Sequence, residues 1–167
     1  MTPIEIILLA SIGGGILLAL ATVIVVKWRQ THIAWKPLPG RPGMFYCFEK
    51  SGSPEQLSTA VSVAVDSLVT YTKWSKADIE RAIADLHIHV KGSEHWMEDV
   101  GDARGTFKTA GLQMDSGVRV GPSLAALCHE IAHRIGQVID GNQYMNHENW
   151  AAKGIYSAIE DFNARTK

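Results

Sequence analysis

The spacing of apolar positions changes along the chain, and each spacing predicts a different element. Residues 6–26 carry no charge and only Ser11 and Thr22 as polar side chains. As a helix this run measures about 31 Å, close to the hydrocarbon core of a bilayer. One transmembrane helix is the expected element. Thr2 serves as its N-cap, Pro3 takes the first helical position, Glu5 completes a Thr-x-x-Glu capping box, and Lys27, Trp28 and Arg29 close the far end as an interfacial anchor. A cleaved signal peptide would need a basic segment ahead of the run, and the apolar stretch continues past the cleavage-like Ala19-Leu20-Ala21. A buried core helix is the plainer alternative, but a run this long and apolar all round favours lipid. Ser11, Gly15 and Ala19 form a small-xxx-small stripe through Gly13-Gly14-Gly15, suited to helix–helix self-association, although glycine is common in membrane helices in any case.

Beyond the apolar run the pattern becomes that of a globular α+β domain. Pro37, Pro39, Gly40, Pro42 and Gly43 make residues 30–43 a stiff linker after the 1–29 segment, so the domain is expected to occupy 44–167. Residues 44–48 read as an edge strand. Ser51-Gly52-Ser53-Pro54 then opens a helix whose buried face is Leu57, Val61, Ala64, Leu68 and Tyr71. Ser75-x-x-Asp78 caps a second helix carrying Ile79, Ala82, Ile83 and Leu86 on one face. Residues 86–90 alternate strictly, sending Leu86, Ile88 and Val90 to one side of a strand and His87 and His89 to a solvated side. Residues 91–110 show no regular pattern. Residues 112–114 and 118–120 read as a hairpin about Asp115-Ser116-Gly117, and Gly121-Pro122-Ser123 starts the next helix. The elements sum to helices packed on a short, mostly antiparallel sheet.

Charge narrows the partners. With 16 basic and 17 acidic residues the formal net charge is -1, which gives no field for nucleic acid. Lys27, Arg29, Lys36 and Arg41 all follow the apolar run, so the positive-inside rule places the C-terminal domain in the cytoplasm of a single-pass membrane protein. A virion membrane or an injected phage protein need not obey that rule. Cys47 and Cys128 stand far apart and match no disulfide framework or metal pair.

The chemistry concentrates in His129-Glu130-Ile131-Ala132-His133. Four residues apart on a helix, His129 and His133 share a face and can aim at one metal ion. Glu130, about 100° away, reaches a water beside that ion without being a ligand. On the helical wheel Leu124, Cys128, Ile131, Ile135 and Val138 lie opposite the histidines, while Ala125, Ala126, Ala132 and Gly136 leave room around them. Cys128 is thus a packing residue. Two histidines and a glutamate on a solvated helix face remain the plain alternative. A catalytic metal needs a third protein ligand. Asp140 lies about 10 Å along the axis from His133 and is too far. After the turn at Asp140-Gly141-Asn142 come His147 and Glu148, on the first turn of a last helix capped by Asn146, with Trp150, Ile155, Ile159 and Phe162 on its buried face.

The arrangement resembles the zincin metallopeptidases, and His147-Glu148-Asn149-Trp150, a third histidine followed by x-x-aromatic, is similar to SprT-type domains and related small bacterial and phage zincins. The likeness covers residues 112–162 and is specific in the five-residue motif. It implies Zn²⁺ held by His129, His133 and His147, with Glu130 as general base; Glu148 is the alternative third ligand on its chemistry alone. Glu148 stands where SprT-type proteins usually have glycine, and no DNA-binding module is present. The metzincin extension is excluded because Ile139 takes the place of its third histidine.

Two further sets of residues enter as secondary candidates. His87 and His89 form a His-x-His pair, more commonly a solvated strand face than a metal site, and Tyr144 or Tyr156 is a candidate oxyanion stabiliser. The expected activity is that of a membrane-anchored zinc metallopeptidase acting on peptide bonds of a protein or of cell-wall peptide, its partners being that substrate and the lipid bilayer, with no nucleic acid. The alternative is a non-catalytic structural or assembly membrane protein, for example of a virion, that retains a zincin fold.

Overall fold

Ser53 and Pro54 set the start of the longest helix, α1 (Pro54–Tyr71). The Ser53 hydroxyl accepts the Gln56 N–H at 3.1 Å, satisfying one of the first free donors, and proline at the first position has no donor to lose. At its end the Thr72 hydroxyl donates to the Leu68 carbonyl at 2.7 Å. Ser75 caps α2 (Lys76–Ile83) in the same way, accepting from Asp78 N–H. A computed structural model describes residues 34–93, 108–109, 112–113, 117–139, 141, 147 and 149–167.

In chain order the strands are β1 (Lys36–Pro37), β2 (Phe45–Phe48), β3 (His87–Val90), β4 (Lys108–Thr109), β5 (Leu112–Gln113) and β6 (Gly117–Val120). Two helices follow, α3 (Leu127–Ile139) and α4 (Ile155–Arg165). The main sheet has the order β1-β2-β3-β6. Only β1 and β2 are antiparallel, with Lys36 opposite Tyr46; β2 runs parallel to β3 and β3 parallel to β6, placing Cys47, His89 and Arg119 in one row. The α1–α2 crossover between β2 and β3 carries the chain back to the end of the sheet where it began, which is what a parallel pair requires.

Four expectations are corrected here. The sheet is mixed, with parallel pairs at its centre, because a helical crossover rather than a tight turn joins β2 to β3. The hairpin is not formed: β5 pairs with β4 in a separate ribbon, and β6 joins β3. The active helix starts at Leu127, not near Ser123, because Leu124 adopts a left-handed backbone (φ 60) that turns the chain before the helix can propagate. Finally, among the described residues no helix is long and apolar enough to cross a membrane. Even the 18-residue α1 has one buried face and an acidic first turn, the pattern of a core helix. This overturns the expected architecture of a membrane span ahead of the domain, and with it the single-pass localisation and cytoplasmic placement. The apolar run 6–26, on which those expectations stood, lies outside the described residues.

The core lies between the sheet and the helices. Leu86, Ile88, Val90, Val118 and Val120 meet Leu57, Val61, Ala64 and Leu68 of α1, Ile79 and Ile83 of α2, Leu127, Ile131 and Ile135 of α3, and Phe162 of α4. Tyr71 and Val138, expected on buried faces, are 45 % and 43 % exposed because both stand at helix ends beyond the core's edge. Residues 34–43, read as linker, contain β1 and a buried Leu38, whose N–H donates to the Met44 carbonyl at 2.9 Å.

Candidate metal centre

α3 buries Leu127, Cys128, Ile131 and Ile135 and leaves His129 and His133 half-buried at the edge of that face. Their Nε2 atoms stand 2.9 Å apart. His147, exposed and in the segment between α3 and α4, brings its Nε2 to 3.3 Å from that of His133. One ligand atom from each of the three residues falls within 4.8 Å of the others. Nitrogens bound about 2.05 Å from a tetrahedral ion lie about 3.3 Å from one another, so the spacing fits a single metal ion. Among the described residues this is the one such cluster of histidine, cysteine or carboxylate groups. Three imidazoles suit zinc, copper, iron or nickel, so the donor set points to a metal ion without selecting zinc.

The electrostatics favour the ligand form. Burial, then the charge of His147, holds His129 down at about 4. Burial, then His129 and His147, does the same to His133, also to about 4. Both rings are therefore neutral near pH 7, with a lone pair free to coordinate. Glu130 is 5 % exposed, and burial pushes its carboxyl up to about 7. Cys128 is fully buried, and burial, then Asp161, pushes its thiol up to about 12, which fits a packing residue.

Of the other candidates, Tyr144, Glu148 and Asp140 lie outside the described residues, as does the cap Asn146. Tyr156 is 43 % exposed, its ring 5.8 Å from that of Trp150. His87 and His89 stand apart from the cluster, and their strand face is covered rather than solvated. His87 stacks on Phe45 at 4.8 Å and donates from Nδ1 to the Asp85 carbonyl, while the Trp35 ring packs edge-on against both histidines. His89 is 7 % exposed, with Nε2 3.2 Å from a Glu49 carboxylate oxygen.

One residue at the centre carries more than its expected role. Periodicity places Trp150 on the buried face of a last helix that begins near His147; Trp150 is buried, but it stands in the turn ahead of α4, which starts only at Ile155 after the left-handed Gly154, and its indole lies against all three histidines: 4.4 Å from His147, 4.7 Å from His133 and 4.9 Å from His129 between ring centres. The signal available in the sequence was its position three residues after His147. No family model matches the chain, and no curated protein or solved structure was found to resemble it.

Proposed function

We propose that this protein is a zinc-dependent peptidase that hydrolyses peptide bonds with His129, His133 and His147 as ligands and Glu130 as general base. The observation that carries the reading is the convergence of three imidazole nitrogens, two from adjacent turns of α3 and one from beyond it, beside a buried carboxylate on the same helix. Zinc is the ion proposed because three imidazoles with an open fourth position are a common donor set of hydrolytic zinc.

When bound, the ion would acidify a water and polarise the scissile carbonyl. His129, His133 and His147 would hold the ion, and the exposure of His147 leaves the cluster accessible to substrate from solvent. Glu130, one residue from a ligand and unable to share its direction, takes the proton of the attacking water on a carboxylate oxygen and passes it to the departing amine nitrogen. Its burial keeps bulk water away from that carboxylate.

The test is metal analysis of the purified chain together with hydrolysis of peptide and peptidoglycan substrates, wild type against Glu130→Gln. Stoichiometric zinc in both, with hydrolysis only in the wild type, is the expected result. Zinc bound without hydrolysis of either substrate would move the protein to the non-catalytic, structural reading.

A further inference from the structure

Three imidazoles that share a metal must hold their ring planes as well as their positions, and this is commonly done by a hydrogen bond from the nitrogen that does not ligate. Here the described hydrogen bonds of His129, His133 and His147 run only between Nε2 atoms. Packing is left to fix the rings. The indole of Trp150 is the shared neighbour: it is 2 % exposed, and its plane is tilted 55° to His147, 52° to His133 and 59° to His129. The backbone delivers it there. Asn149 takes a left-handed conformation (φ 68), and the Trp150 N–H donates to the His147 carbonyl at 3.3 Å, so the chain folds back on itself directly after the third histidine. The next turn is closed by Ile155 N–H donating to the Trp150 carbonyl at 3.0 Å, which ties the same residue to the start of α4.

We infer that Trp150 is a positioning residue of the metal centre: its rigid indole, wedged among His129, His133 and His147, sets the ring orientations in which their Nε2 atoms converge. The inference rests on the reading of the three histidines as metal ligands. What distinguishes it from ordinary core packing is that a flat ring is required, and not merely apolar volume. An aliphatic side chain of comparable bulk fills the space but lets each imidazole rotate about its Cβ–Cγ bond, so ions bind more weakly and in a less regular field.

The full-length chain tests this with Trp150→Phe, Trp150→Leu and Trp150→Met. Zinc affinity is read by competition with a chromophoric chelator, and ligand geometry by the visible absorption of the Co²⁺ form. Trp150→Phe is expected to stay within a few-fold of wild type, while Trp150→Leu and Trp150→Met lose about 10–100-fold, the range for removing a group that orients a ligand, and show an altered Co²⁺ spectrum. Co²⁺ should also quench tryptophan emission in the wild type by an amount that disappears in Trp150→Phe. A wild type that takes up neither ion overturns the metal reading and this inference with it. A wild type that binds, beside a folded aliphatic variant of equal affinity and unchanged spectrum, overturns this inference alone. Should the aliphatic variants fail to fold, equal quenching in wild type and Trp150→Phe overturns it instead.

Discussion

Among the described histidines, chemistry follows from what surrounds each ring. His129 and His133 stand four residues apart on α3 and His147 closes the cluster from outside that helix, so His147→Ala should leave the fold intact yet lower zinc affinity sharply, by about 100-fold or more, read by chelator competition. Retained wild-type affinity would remove His147 from the ligand set. His89 illustrates the opposite case, a neutral histidine buried for structure. Burial first, then Lys91, pulls it down to about 4 despite Glu49, with Arg119 adding to the lowering; Trp35 and Cys47 complete its surroundings. Its folded value lies below its ordinary 6.5, so between those values the unfolded chain takes up a proton that the folded chain refuses. Stability from this residue is therefore complete above about pH 6.5 and is lost as the pH falls toward 4, by about 2 kcal/mol between pH 7 and 5. Urea unfolding across that range should show a shallower pH slope in His89→Gln than in wild type; identical slopes would mean that His89 is protonated in the folded state.

At the scale of elements, what places the site is the set of joints between helices. Gly154 leads into α4 with φ +76, and a Cβ there would stand 1.8 Å from the Tyr71 carbonyl oxygen at the end of α1. Gly43 is similar, since its Cβ would stand 2.4 Å from the Ala84 carbonyl oxygen. Neither obstacle is a side chain that can swing away, so Gly154→Ala should cost about 3 kcal/mol or more. Gly141, with φ +65 and nothing within 4 Å of the added carbon, provides the control: Gly141→Ala should cost only about 1 kcal/mol of backbone strain. Thermal unfolding of the two variants decides the point, and equal losses would show that the close approach to Tyr71 is relaxed in solution. Because Gly154 and Trp150 belong to one short turn, Gly154→Ala should also weaken metal binding, whereas Gly43→Ala, far along the chain, should not.

At the scale of the whole described fold, the main sheet and the four described helices share one core, and that core reaches back to Leu38. A fragment starting at Ala34 should fold cooperatively. One starting at Met44 lacks β1 and the buried Leu38 and should be less stable by about 2 kcal/mol from that side chain alone; equal denaturant midpoints would show β1 to be dispensable. Much of this was legible in the sequence, because the signals are local. Ser53-Pro54 and Ser75-x-x-Asp78 cap helices through atoms a few residues away, the alternation at residues 86–90 sends Leu86, Ile88 and Val90 into the core, and the i, i+4 spacing of His129 and His133 is a property of any helix. Spacing alone thus determined α1 and α2 and the pairing of His129 with His133 on one face of α3. What only the tertiary structure decided depends on partners distant in the chain. Strand direction follows from where a crossover returns, so the sheet is mixed; Trp35 covers the His87 and His89 face from another strand's flank; Leu124 delays α3 by its backbone conformation. Trp150 comes to lie against His129, His133 and His147 for the same reason: a turn outside α3 brings it and His147 back upon that helix, and no periodicity within a single element encodes that return.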